Sequence, residues 1–141
     1  MLKPILLSLA LATSTIAVVA APAAAEATVE QTQLPSGALV KKSKKLKGNY
    51  EVIQRDGQTF IRFDEDFRAA RGPDLKVFLS PKTIKSVTGK TAIDGSINLG
   101  VLKSTKGAQE YLVPEGVDLN DFGSVLVHCE AYAVLWGGSD L

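Results

Sequence analysis

From Gly48 onward, short runs rich in Val, Ile, Phe and Tyr alternate with polar positions. Turns at Asp56-Gly57, Thr88-Gly89, Asp94-Gly95, Lys106-Gly107 and Glu115-Gly116 separate them. This spacing is that of an all-β domain, and it predicts a single antiparallel β-sandwich. Residues 50–54 and 59–63 flank Asp56-Gly57 and predict a hairpin, because Asx-Gly readily supplies the positive φ angles of a two-residue turn. Leu75, Val77 and Leu79 alternate with Lys76 and Phe78 behind the turn Gly72-Pro73-Asp74. Further strands are predicted around 96–102, 109–113 and 125–136, and the only helical candidate is 64–71, one or two turns long. No internal repeat is evident.

The N-terminus has a different pattern. Lys3 precedes apolar or small residues over 5–20, and Ala23-Ala24-Ala25 fits the small-x-small rule, so 1–25 reads as an export signal cleaved after Ala25. The competing reading is a retained membrane anchor, since residues 4–25 almost reach spanning length. Their Ala, Ser and Thr content makes the stretch weakly hydrophobic and favours removal. No Cys follows the apolar run, which argues against a lipoprotein anchor. Removal leaves 141 − 25 = 116 residues, enough for one domain. No second run of spanning length follows, so a soluble, secreted or periplasmic protein without a membrane span is expected. Residues 26–47 read as a linker. Its first part, 26–37, is a polar tether, and 41–47 is a block with five lysines in seven positions. Such a block can touch an anionic membrane surface or polysaccharide, at about 1 kcal/mol per Lys near an anionic membrane. The plainer reading is a solvated, salt-screened entry to the first strand.

Composition narrows the chemistry. The chain carries 16 Lys+Arg against 15 Asp+Glu, which argues against a dedicated nucleic-acid binder. At 45% apolar and 22% charged it is an ordinary globular sequence. With one Cys and one His, a Cys/His zinc site, an intrachain disulfide framework and a Cys-ligated iron–sulfur cluster within one chain are excluded by counting, and no metal site is expected. Neither GxGxxG nor GxxxxGK[ST] occurs, and there is no GxSxG elbow for a hydrolase. Asp64, Glu65 and Asp66 concentrate negative charge, but their spacing is not that of an EF-hand and a solvated turn accounts for them.

Cys129 is the remaining candidate. Over 125–136 taken as one strand, Val125, Val127, Cys129, Ala131, Ala133 and Leu135 share one face, and Leu126, His128, Glu130, Tyr132, Val134 and Trp136 the other. His128 and Cys129 then face opposite ways, which disfavours a Cys–His pair unless a bulge intervenes. Glu130 is adjacent and the nearest basic residue in sequence is Lys106, so a thiolate finds no local support, although Arg62, Arg68 or Arg71 could approach in space. One reading is a small buried hydrophobe. The other follows from compartment: an unpaired thiol outside the cytoplasm is exposed to oxidation, so it is either buried or used, in an intermolecular disulfide, a sulfenate cycle or cofactor ligation.

The order of signals from Gly48 to the C-terminus resembles the DM13 domain family, an extracytoplasmic module. The carrying residues are Gly48-Asn49-Tyr50, Phe63-Asp64, Phe67, the run from Gly72-Pro73-Asp74 to Ser80, Leu99 to Lys103, Gly107 to Tyr111, Val113-Pro114, and Val125 to Leu141 around Cys129. The resemblance implies a β-sandwich that takes part in electron transfer through its cysteine, as a bare thiol or by holding a prosthetic group, and Cys129 stands at that position. Haem as a cofactor is implied by the resemblance alone. One departure is local: many members have Trp before the Cys, where this chain has His128. The expectation is thiol-based redox or electron transfer centred on Cys129, with a redox protein or cell-envelope component as partner. The alternative is a non-catalytic binding or adhesion module in which Cys129 is core packing.

Overall fold

The computed structural model describes residues 33–141, together with Ala17 and Val18. Apart from those two positions, the predicted export signal lies outside the described residues, as does the first part of the tether. Among the described residues eleven strands form: β1 (Ser36–Ala38), β2 (Val40–Lys41), β3 (Leu46–Lys47), β4 (Asn49–Arg55), β5 (Gln58–Phe63), β6 (Arg68–Ala69), β7 (Leu75–Ser80), β8 (Ile97–Val101), β9 (Gln109–Leu112), β10 (Ser124–Cys129) and β11 (Val134–Asp140). One sheet runs β1-β4-β5-β9, a second runs β2-β11-β10-β7-β8, and β3 pairs with β6. The pairings are antiparallel. No helix among the described residues is long and apolar enough to cross a membrane.

The β4–β5 hairpin forms as its sequence predicts. Arg55 pairs with Gln58, and Asp56 (φ 53°) and Gly57 (φ 76°) take the positive φ angles of the tight turn. Alternate residues of the two main sheets then meet in one core: Tyr50, Val52, Ile61, Phe63 and Tyr111 from the first, Val77, Leu79, Val125, Val127, Cys129 and Trp136 from the second. This is the predicted sandwich.

The second sheet is buried on its other face as well. The stretch 81–96 folds as a series of turns and lays Ile84, Val87 and Ala92 over Phe78, Leu126 and Leu135. That double burial explains why every residue of β10 is buried and its centre, Val125 to Val127, is apolar without a break, unlike a solvent-facing strand.

Two predicted elements are corrected. Residues 64–71 form no helix. Asp64 accepts the backbone and side-chain N–H groups of Asn49 at 3.1 and 2.7 Å, Phe67 stacks on Phe63 with ring centroids 4.6 Å apart, and Arg68–Ala69 pairs with Leu46–Lys47. Asp64 N goes to Asn49 O, Ala69 N to Thr105 O and Ala70 N to Lys45 O, so these donors serve distant parts of the chain and not a helical ladder. Residues 125–136 are a hairpin, not one strand: β10 ends at Cys129, Glu130 to Ala133 turn, and β11 begins at Val134. Ala133 takes φ 51°, and a bulge between Val127 and His128 adds Trp136 to β11, because Val127 pairs with Gly137 and His128 with Leu135. Trp136 therefore joins the core of Cys129, which single-strand alternation had put on the other face.

The lysine block carries β2 and β3. Its side chains Lys41, Lys42, Lys44, Lys45 and Lys47 are exposed, while Leu46 turns into the core.

Tyr111 gives the domain an alkaline limit. It is 2% exposed, its hydroxyl donates to Gln109 Oε1 at 2.5 Å and accepts from Lys103 N at 2.9 Å, and burial pushes its pKa up to about 12. Burial, reinforced by Asp140, raises Tyr50 in the same direction. The neutral phenol is the favoured folded form. The stabilisation is therefore fully present below the ordinary tyrosine pKa near 10 and is lost as pH rises toward 12. Unfolding free energy followed by urea titration should be flat from neutrality to about pH 10 and then fall, by roughly 2 kcal/mol for Tyr111 alone.

Candidate functional site

Cys129 is a free thiol with no exposed surface. It closes two ladders at once, since Cys129–Val134 is the last pair between β10 and β11 and Cys129–Leu75 the last between β10 and β7. The sulfur thus lies inside the sandwich but one residue from an exposed turn. Within that turn Tyr132 is 71% exposed.

The turn is held from β7 and the residue before it. Glu130 N donates to Asp74 O at 3.2 Å and Ala131 N to Asp74 Oδ2 at 3.0 Å. Lys76 Nζ stands 2.5 Å from Glu130 Oε2 and 3.3 Å from Asp74 Oδ1, and the Glu130 contact, then Asp74, raises the Lys76 pKa against a partial desolvation penalty. On the other side the backbone of Gly89 presses on the turn: a Cβ there would come within 2.0 Å of Ala133 O. Only glycine allows that approach.

His128 occupies the opposite face from Cys129, as strand alternation predicts. It is fully buried, lies edge-on to Phe78 with centroids 5.8 Å apart, and places Nε2 2.7 Å from Gly89 O. With a carbonyl as partner, the ring's Nε2 is the donor. Its Nδ1 is buried with no partner. His128 and Cys129 are thus not brought together, and none of Arg62, Arg68 and Arg71 is packed in the core around the thiol. Arg62 pairs with Glu51 at 3.6 Å, and Arg68 donates to the carbonyls of Glu65 and Phe67.

Sequence reasoning missed Asp74, Lys76, Gly89 and Trp136 as neighbours of the thiol or of its turn. Trp136 Nε1 donates to Ala70 O at 2.8 Å, which fixes the indole against the core wall. Asp74 is the one with a usable signal: a carboxylate beside the Gly72-Pro73 turn that can reach free N–H groups.

The family model of electron transfer DM13 matches residues 38–140. The chain belongs to the DM13 family. That match supports a general electron-transfer module, and it begins ahead of Gly48, taking in the strands of the lysine block. No curated protein and no solved structure matches the chain.

A haem held through Cys129 does not fit this DM13 domain. The sulfur is closed in by packed side chains, and the surface clefts lined by 57–59 with 112–117, by 33–35 with 116–120, by 36–38 with 49–51, and by 103–104 with 108–110 have neither Cys129 nor His128 in their walls. Among the described residues no three His, Cys, Asp or Glu side chains cluster as metal ligands would.

Proposed function

We propose that this DM13 domain works outside the cytoplasm, as a secreted or periplasmic module, and that Cys129 is its redox group, reached by opening the β10–β11 turn. One observation carries this reading: Cys129 is the terminal rung of both its ladders, so fraying the last pair of each, Cys129–Val134 and Cys129–Leu75, exposes the sulfur while every inner rung of the sandwich stays closed. The partner is a disulfide-bearing redox protein or cell-envelope component. In the exchange the Cys129 thiol gives up its proton and Sγ attacks the partner's disulfide. A new S–S bond forms as the partner's breaks, and the departing sulfur leaves with the electron pair and takes up a proton.

A second reading is favoured by the burial itself. A sulfur with no exposed surface, packed with Leu75, Val77 and Trp136 in one cluster, serves equally as a small core hydrophobe in a non-catalytic binding or adhesion module.

The turn separates the two. Asp74→Ala removes the carboxylate that holds Ala131 N and leaves the core cluster untouched. Capture of Cys129 by a small disulfide reagent in native buffer should then speed up about five- to tenfold, the effect of one net hydrogen bond. Equal rates, with global stability unchanged, favour core packing.

A further inference from the structure

We propose that the lysine block is the docking face for an acidic electron-transfer partner, built around the edge of Trp136. This rests on the electron-transfer reading but not on the chemistry of the thiol. With 16 cations and 15 acids in the whole chain, five lysines in seven positions is a segregation of charge, and the fold concentrates it further.

The block is laid directly on Trp136. Lys41 pairs with Gly137, and the backbone N–H of Lys42 donates to Trp136 O at 2.8 Å. On the other side Trp136 Nε1 donates to Ala70 O, while Ala70 N donates to Lys45 O at 2.8 Å and exposed Arg71 follows. Trp136 is 5% exposed and shares the core cluster of Cys129. The basic residues of the block thus flank the one indole of the core cluster that also holds Cys129.

Among the described residues no acidic side chain pairs with these cations: the side-chain ion pairs use Arg55, Arg62, Lys76 and Lys82, none of them in the block. Lys47 stands opposite Arg68, which in turn bridges to Lys106, a row of like charges that costs stability unless something anionic meets it. Edge protection accounts for Lys41 on β2, the terminal strand of its sheet, but not for Lys42, Lys44 and Lys45 in the connecting bend. Lysines are flexible point charges. They suit a carboxylate-rich protein surface met briefly and steered electrostatically, as electron-transfer encounters are.

The test is a titration of the full domain with poly-L-glutamate, followed by the fluorescence of Trp136, the only tryptophan. At low salt a saturable change is expected, weakening steeply as ionic strength shortens the Debye length below about 10 Å. K41Q/K42Q/K44Q/K45Q, all at exposed positions, should bind about tenfold more weakly or worse, and K85Q/K90Q, on the stretch covering the second sheet's other face, within about twofold of wild type. No response at low salt, or wild-type binding by the quadruple variant, would overturn the proposal. Pelleting with phosphatidylglycerol vesicles without any response to poly-L-glutamate would overturn it in favour of a lipid surface. An inert thiol leaves this result standing, and an absent docking face leaves the thiol measurement standing.

Discussion

Gly138→Ala should leave a domain destabilised by at least about 3 kcal/mol, a large share of the 5–15 kcal/mol that holds a domain of this size together. Gly138 lies in β11 between Leu126 of β10 and Val40 of β2, so it is bonded into the sheet on both sides. A Cβ there would stand 2.2 Å from Val125 O and 3.1 Å from Leu126 Cα. Both are backbone atoms of the central strand, which is itself fixed by β7 and buried on both faces, so neither can retreat without breaking a ladder. Gly57→Asn is the contrast. No atom lies within 4 Å of the added Cβ, and Asn tolerates the positive φ of 76°, so the cost should stay below about 1 kcal/mol. Urea midpoints read by Trp136 fluorescence at an unchanged slope measure both. A Gly138→Ala midpoint near that of wild type would mean that β10 and β11 are not packed as described.

The second large effect is at Phe63. Its ring is fully buried, stacked on Phe67 at 4.6 Å and tilted against Tyr111 at 5.6 Å, with Ile61 on the same strand and face. Phe63→Ala should cost about 3–5 kcal/mol, the transfer energy of the ring plus the cavity it leaves. The loss should exceed a simple area estimate. Phe67 sits on the 64–68 turn, which is tied to the sandwich by the Asp64–Asn49 contacts and the β3–β6 pair and has little freedom to collapse into the space. Phe63→Leu, which refills much of the volume, should recover more than half of that stability. A Phe63→Ala variant within about 1 kcal/mol of wild type would show that the aromatic group is not the keystone of the first sheet.

The legible parts of the sequence were those governed by local rules. Asp56-Gly57 between two alternating runs specified a hairpin, and β7, β8 and β9 fell where alternation and turns put them. Strand alternation also separated His128 from Cys129. The hidden parts depend on contacts distant in sequence. The turn at Glu130–Ala133 contains no Gly, Pro, Asn or Asp, and it forms because Asp74, far earlier in the chain, accepts its N–H groups. With that turn unseen, Trp136 was given the wrong face. No helix forms over 64–71 because the backbone N–H groups of Asp64, Ala69 and Ala70 go to Asn49, Thr105 and Lys45, partners distant in sequence, and Arg68–Ala69 pairs with Leu46–Lys47. The thiol's burial was not legible because β10 is buried on both faces, one of them under the turns of 81–96, which alternation alone does not show.

Thiol exchange at Cys129 requires that the terminal rungs there open while the rest of the sandwich stays folded. The most direct measurement is the rate at which a disulfide reagent captures the single thiol as urea is raised through concentrations below the unfolding transition. A local opening exposes little surface, so the rate should be nearly independent of urea there and much faster than global unfolding permits. A rate that climbs with the full denaturant slope of the unfolding equilibrium, down to the lowest urea, would contradict the account and leave Cys129 as a packed core residue.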